Sequence, residues 1–285
     1  MPTFNFQWLL LLILVLSRST LANESLTSLA SKNELPFMAN VFIISIGTCN
    51  GAILSDRWIV VSAYCLTGQV PSHNNPIVVS PTSFLVVVGT NSRTGETSHA
   101  VQQIIFDSQN GGRSDLALIE LKKGLSFNQQ VQPIPISLDP PTPGIEVSSA
   151  GWIPTLGKTK MNILPITDCE SIPDQNLCVG GGFCVPGVGG PLYTQEDGVY
   201  KLLGLKMNSS VLHKPEIECF KDSQEDNISI FTHLGYHLEY IQGVTGLTRN
   251  YLLGNTRSNH GNTIHHASFN LLAFLLFFWL SRNHL

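Results

Sequence analysis

The sequence predicts an all-β fold, a sandwich or a barrel, with one helix near the end of the domain. Across the middle of the 285-residue chain, short β-branched or aliphatic segments alternate with Gly, Pro, Asn and Ser, and helix-period runs are nearly absent. Strands separated in this way by turn residues are typical of antiparallel all-β domains. The predicted strands are residues 41–45, 51–54, 58–62, 84–89, 101–106, 116–121, 147–151 and 200–207.

A proline-rich stretch at residues 132–144 separates two groups of predicted strands and is the expected linker between two halves. Near the end of the domain, apolar residues recur at helical spacing and predict a terminal helix packed on a barrel: Phe231, Leu234, Leu238 and Ile241. Without the two apolar ends of the chain, about 235 residues remain, a length that fits one large all-β domain or two packed barrels.

Residues 1–22 are expected to form a secretory signal peptide. Residues 8–16 are an almost uninterrupted apolar run, and small residues follow it up to Ala22, where signal peptidase would cut. The run is too short to span a bilayer, and its position suits an export signal. A buried N-terminal helix is the alternative. We assign residues 23–40 to an N-terminal extension.

A second apolar run, residues 269–280, lies close to the end of the chain and follows a polar stretch. Small residues, a polar spacer (251–268) and a short hydrophobic tail (269–285) form the pattern of a glycosylphosphatidylinositol attachment signal, with Asn259 as the predicted attachment site. The polar residues after the run argue mildly against this interpretation. A short membrane helix and an amphipathic or buried tail are the alternatives.

The composition excludes some partners and suggests an oxidising compartment. The formal charge is −4 with 13% charged residues, so no basic face favours nucleic acid or anionic lipid. The six Cys residues, behind an export signal, indicate three disulfides. Sequons begin at Asn23, Asn208 and Asn227, in agreement with an exported glycoprotein.

Five blocks in order resemble the chymotrypsin/trypsin family of serine proteases. The most informative is residues 186–192, where the chain reads Pro-Gly-Val-Gly-Gly-Pro-Leu and the family has Gly-Asp-Ser-Gly-Gly-Pro-Leu. The other blocks are residues 49–65 (the family's Cys…Ala-Ala-His-Cys block), 114–119 (Asp-Ile-Ala-Leu-Leu), 177–181 (Leu-Cys-Ala-Gly-Gly) and 228–241 (Gly-Val-Tyr-Thr-Arg-Val…Trp-Ile).

The resemblance implies two packed antiparallel six-stranded β-barrels with the active cleft between them and a C-terminal helix. The trypsin-like domain would cover residues 41–250, with the first barrel at about 41–135 and the second at about 144–245. The resemblance also implies three disulfides: Cys49–Cys65, Cys169–Cys178 and Cys184–Cys219.

The resemblance places altered residues at the catalytic positions. In the family a His accepts the proton of the nucleophilic Ser, and an Asp orients that His. Tyr64 stands at the His position, Val188 at the Ser position, and Asp115 at the Asp position. Val188 offers no nucleophile, and a phenol is almost entirely protonated at neutral pH and is a poor base. Asp115 is then expected to accept bonds from neighbouring amides or from the Tyr64 hydroxyl.

Other parts of the catalytic apparatus are also replaced. Pro186 stands at an oxyanion-hole position and has no N–H to donate. Gly187 replaces the Asp that would pair with a new N-terminus after activation, and Gly182 stands where an acidic pocket residue would attract Lys or Arg. The chain is therefore predicted to be a serine protease homologue without catalytic activity.

We predict a non-catalytic, extracellular, membrane-tethered module that binds another protein as a decoy, as a cofactor for an active protease or as an adhesion element. An active protease or its substrate is one candidate for the partner. A hydrolase with rearranged catalytic residues and a storage or matrix glycoprotein are the alternatives. A glycan on Asn208 would cover the former substrate groove. No cofactor is expected.

No metal is expected either. His233 and His237 have ligand spacing, but no carboxylate or Cys motif completes the pair, and surface or satisfied core positions are favoured. His260, His265 and His266 belong to the polar spacer.

Overall fold

The computed structural model describes residues 27–44, 46–68, 77–92, 97–108, 114–138, 141–153, 155–169, 172–181, 188–208 and 228–255. Several predicted features lie outside these residues. They are the signal peptide, the C-terminal tail, Asn23, Gly182, Cys184, Pro186, Gly187, Cys219, Asn227, Asn259 and the three histidines of the polar spacer.

The described part of the chain begins with a short strand, β1 (Thr27–Leu29), and then closes a first barrel of six antiparallel strands in the order β2-β3-β4-β7-β6-β5. The barrel closes because β5 pairs with β2 as well as with β6. Its strands are β2 (Met38–Ile43), β3 (Gly47–Ile53), β4 (Trp58–Val61), β5 (Phe84–Val88), β6 (Ser98–Phe106) and β7 (Ala117–Leu121).

The second half of the chain forms another ring of six antiparallel strands, in the order β8-β9-β10-β13-β12-β11, and β11 closes it by pairing with β8. Strand β1 adds to this ring along β9. The strands are β8 (Glu146–Ile153), β9 (Thr155–Ile163), β10 (Asn176–Gly180), β11 (Pro191–Glu196), β12 (Val199–Lys206) and β13 (Ser229–His233). The predicted fold class, two six-stranded antiparallel barrels, is confirmed.

Three short helices complete the described chain: α1 (Ala63–Thr67), α2 (Leu238–Thr245) and α3 (Arg249–Leu252). The predicted terminal helix is present, but the helical spacing extended it too far upstream. Phe231 lies in β13 and Leu234 in the following turn, whereas Leu238 and Ile241 are in α2. All four side chains are buried: Phe231 lies in the interior of the second barrel, whereas Leu234, Leu238 and Ile241 lie in the apolar cluster between the barrels.

Each barrel has its own apolar interior, and a third apolar cluster lies between the barrels. The third cluster takes residues from the outer faces of both barrels and from α2, including Leu116, Trp152, Tyr193 and Leu238. At its centre the ring of Phe37 lies 5.2 Å from that of Tyr193. The interface is therefore a packed hydrophobic core that holds the two halves of the cleft in fixed positions.

The folded unit starts upstream of the predicted boundary at residue 41. Residues 27–29 pair with β9, and Leu35 and Phe37 are buried in the core between the barrels. The proline-rich segment does connect the two halves, but Ile134 and Ile136 are also buried in that core. Both segments therefore contribute to the packing.

Two of the three predicted disulfides are confirmed, Cys49–Cys65 and Cys169–Cys178. The first joins β3 to α1, and the second joins a short 3-10 turn to β10. The predicted Cys184–Cys219 pair lies outside the described residues. Among the described residues, the helices are all too short or too polar to cross a membrane.

Candidate functional site

Asp115 lies just before β7 and is completely buried, with 0% of its surface exposed. One carboxylate oxygen accepts the backbone N–H of Tyr64 at 2.6 Å, and the other accepts the Ser62 hydroxyl at 2.8 Å. The Ser62 oxygen in turn accepts the Cys65 amide at 3.1 Å and caps the N-terminus of α1. Asp115 therefore anchors the first turn of α1 to the first barrel.

The sequence predicted neighbouring amides or the Tyr64 hydroxyl as partners of Asp115. The amide part is confirmed, and the hydroxyl that donates to Asp115 belongs to Ser62. Burial raises the pKa of Asp115 to about 6, against the opposing effect of bonds from the Tyr64 amide, the Ser62 hydroxyl and the Ala63 amide. Desolvation thus outweighs all three hydrogen bonds.

Tyr64 is the second residue of α1 and is half-buried. Its neighbour Cys65 is bonded to Cys49 of β3, so a covalent link and the Asp115 bonds both hold this helix. The backbone of Tyr64 is thereby fixed to the first barrel at the position where the family resemblance expects a histidine.

Val188 is half-buried and begins a turn that docks on the first barrel. The Gly189 amide donates to the Lys206 carbonyl at 2.8 Å, which ties the turn to the end of β12. Gly189 has φ +86°, and a Cβ there would lie 2.4 Å from the Asn50 carbonyl oxygen and 3.6 Å from Cβ of Ser62. Only glycine allows so close an approach. The turn of Val188 therefore lies against the Asp115–Ser62 pair.

Asn208 is half-buried and follows β12 by two residues. The preceding Met207 is buried, and its amide donates to the Ile230 carbonyl at 2.9 Å. Because Lys206 holds the turn of Val188, the predicted sequon begins close to that turn.

A second buried carboxylate, which the sequence did not predict, lies directly after the neighbouring strand β6, where the Asp107 amide donates to the Leu116 carbonyl at 2.9 Å. Asp107, 1% exposed, accepts the Ser114 hydroxyl at 2.8 Å and contacts Nδ1 of His237 at 3.1 Å. Both partners bond the same oxygen, Oδ2. Burial, and then the charge of Asp107, raise the pKa of Tyr240 beside the cluster.

The two predicted histidines are both core residues, although on different elements. His237 precedes α2 and has Asp107 as its carboxylate partner, whereas His233 ends β13. Burial, and then the charge of His237, lower the pKa of His233 to about 4. The described residues contain no group of three His, Cys, Asp or Glu side chains arranged to hold a metal. A sequence signal for the Asp107–His237 contact was absent because 130 residues separate the two.

Comparison with known proteins identifies the family to which this architecture belongs. The family model described as Trypsin matches residues 27–212. Serine protease SP24D of Anopheles gambiae is 28% identical over 126 residues, 44% of each chain. Mannan-binding lectin serine protease 1 is 26% identical in Homo sapiens over 233 residues and 22% identical in Mus musculus over 253. These alignments cover 70% and 76% of this chain and 32% and 34% of the relatives.

The chain therefore spans less than half the length of these curated relatives. The family match covers more than half of this chain, including β1, both barrels through β12 and the turn of Val188. The protein belongs to the trypsin family.

Proposed function

We propose that this protein is a non-catalytic member of the trypsin family that acts as an extracellular protein-binding or protease-regulating module. The observation that supports the proposal is the set of residues at the family's catalytic positions: the resemblance assigns Val188 and Tyr64 to the nucleophile and base positions, and Ser62 donates to the second oxygen of Asp115. Without an attacking atom and a base, neither covalent nor general-base catalysis has a starting point.

Ser62 does not substitute for the missing nucleophile. Its side chain is completely buried, donates to Asp115 and accepts from the Cys65 amide. A hydroxyl engaged on both sides and closed to solvent cannot reach a peptide substrate. Its role is to satisfy Asp115 and to cap α1.

The alternative of a rearranged hydrolase would need another Ser, His and Asp set. Ser114, His237 and Asp107 provide the residue types, but the hydroxyl and the imidazole both bond to the carboxylate. In a working triad the hydroxyl bonds to the imidazole, which removes its proton. This cluster is also buried, so it does not favour hydrolysis.

The proposal includes a glycan on Asn208 and display at the cell surface. A glycan at the end of β12 would stand beside the turn of Val188 and cover the former groove. Finding Asn208 unmodified by mass spectrometry of the native protein would remove that element. A lipid anchor is proposed from the C-terminal pattern alone, and release of the protein from cells by a phosphatidylinositol-specific phospholipase tests it.

The non-catalytic proposal is tested with an active-site-directed phosphonate probe on the purified ectodomain, with trypsin in a parallel reaction. We expect trypsin to be labelled and this protein to remain unlabelled. A Tyr64→His, Val188→Ser double variant is expected to stay unlabelled as well, because Pro186 still removes an oxyanion donor. Covalent labelling of the unaltered protein, or peptide hydrolysis free of contaminating enzymes, would overturn the proposal.

A further inference from the structure

An apolar groove of about 380 Å³ lies on the outside of the first barrel, between the tip of the β2–β3 hairpin, the end of α1 and the start of β5. Its floor consists of buried side chains, among them Ile43, Leu66 and Phe84. Because the Cys49–Cys65 disulfide ties α1 to β3, this floor is held in place before any partner arrives. A preformed floor lowers the ordering cost of binding.

The rim of the groove is apolar and open to solvent. Ile46 is 81% exposed and Ile44 is 54% exposed at the hairpin tip, and both line the groove. Single exposed aliphatic side chains are common on soluble proteins. Two together beside a concave apolar surface indicate an interaction site.

The surrounding sequence is almost free of charge. Between Glu34 and Arg93, Asp56 and Arg57 are the only residues of the Asp, Glu, Lys and Arg types. These two lie in the β3–β4 turn, at the opposite end of β3 from the hairpin tip, and Arg57 is engaged with Glu120 at 2.9 Å. A charged partner docking here would lose its hydration without meeting an opposite charge.

We propose that this groove, together with the exposed Ile44 and Ile46 at its rim, binds an uncharged aliphatic segment of a partner polypeptide. The concave shape suits one or two inserted side chains, the usual anchors of protein interfaces. A lipid surface fits less well, because membrane-binding surfaces carry Lys, Arg, Trp or Tyr, and none of these types is among the described residues that line the groove. The inference rests on the proposed binding function and names the surface that performs it.

The test selects binders from a random peptide library on the purified ectodomain and measures the affinity of the selected synthetic peptides by calorimetry. We expect peptides rich in aliphatic residues and without Asp, Glu, Lys or Arg. Ile46→Asp is expected to weaken binding about tenfold or more. The matched control is Val199→Asp, which changes a residue 52% exposed at the start of β12 on the other barrel and should leave affinity within about twofold.

Because Ile46 lies exposed in a turn, Ile46→Asp should keep the unfolding midpoint of the unaltered protein, and Ile44→Asp provides a second variant of the same surface. Equal binding by Ile46→Asp and Val199→Asp, or a library that yields only charged peptides or no binder, would overturn the inference. Two other results, each in the absence of peptide binding, would also overturn the inference. They are Ile46-dependent binding to phosphatidylcholine vesicles and Ile46-dependent self-association.

The outcomes separate the two proposals. Hydrolytic activity together with Ile46-dependent peptide binding would overturn only the non-catalytic role. A catalytically silent protein whose binding ignores Ile46→Asp would overturn only the groove.

Discussion

Two buried carboxylates of this protein, Asp115 and Asp107, each accept a serine hydroxyl at 2.8 Å. They differ in their second partner, which is a backbone amide at Asp115 and the imidazole of His237 at Asp107. Asp115, at the position where the resemblance expects the triad carboxylate, thus bonds a hydroxyl and an amide, whereas Asp107 bonds both a hydroxyl and an imidazole. The comparison teaches that residue types alone do not make a catalytic site. A catalytic site also needs the hydroxyl to bond to the imidazole, and it needs access to substrate.

The two regions also respond to pH in opposite directions. The folded-state pKa of Asp115 is raised, so its contribution to stability is lost as the pH rises. The folded-state pKa of His233, beside His237, is lowered, so its contribution is lost as the pH falls. Variants at the two carboxylates and at His233 can therefore separate the regions.

The largest effect is expected from Asp107→Ala. The change leaves the Ser114 hydroxyl and Nδ1 of His237 buried without their acceptor, and breaking a buried pair in this way costs about 3–5 kcal/mol. Urea unfolding at neutral pH measures the free energy of unfolding. The control is Asp168→Ala, at an exposed position, which should stay within about 0.5 kcal/mol of the unaltered protein. Equal effects from the two variants would show that the bonds of Asp107 to Ser114 and His237 do not stabilise the fold.

His233→Gln tests the region of Asp107 and His237 through the loss of stability at acidic pH. Between about pH 6.5 and the folded-state pKa of about 4, the unfolded chain binds a proton at His233 that the native protein excludes. The unaltered protein should therefore lose about 3 kcal/mol of unfolding free energy across this window relative to the variant. Parallel pH profiles for the two proteins would contradict a buried neutral imidazole.

Asp115→Asn is expected to give the opposite slope, with a slightly smaller amplitude. Between about pH 4 and 6 the unfolded chain loses the Asp115 proton while the native protein keeps it. Over that rise in pH the unaltered protein should lose roughly 3 kcal/mol relative to the variant. The measurement is again the free energy of unfolding against pH. If the unaltered protein instead lost stability relative to Asp115→Asn as the pH falls, the raised pKa of Asp115 would be contradicted.

Ser62→Ala should have the smallest of these effects, about 2 kcal/mol. It removes the cap of α1, worth about 1 kcal/mol, and the hydroxyl that donates to Asp115, worth about 1 kcal/mol or more. The control is Ser80→Ala, because Ser80 also precedes a helical turn but makes no capping bond. Thermal unfolding of both variants checks the result, and equal midpoints would remove the role assigned to Ser62.

Local patterns in the sequence were sufficient for much of the fold. Turn residues between β-branched segments predicted eight strands near their observed positions, and the family blocks predicted both barrels and the two described disulfides. The same patterns misplaced Phe231 in a helix, because i, i+3 and i+4 spacing also arises where a strand turns into a helix. The boundary at residue 41 was late, because a short edge strand such as β1 has little periodicity.

The sequence by itself determined which chemical groups stand at the positions that the family resemblance singles out, because Val188 and Tyr64 carry their chemistry wherever the chain places them. Only the tertiary structure decided what those groups meet. Ser62 and Asp115 are 53 residues apart and Asp107 and His237 are 130 apart, and hydrogen bonds over such separations leave no periodic trace in the chain. The apolar groove likewise exists only after β2, β5 and α1 pack together, since shape and exposure are properties of the folded surface.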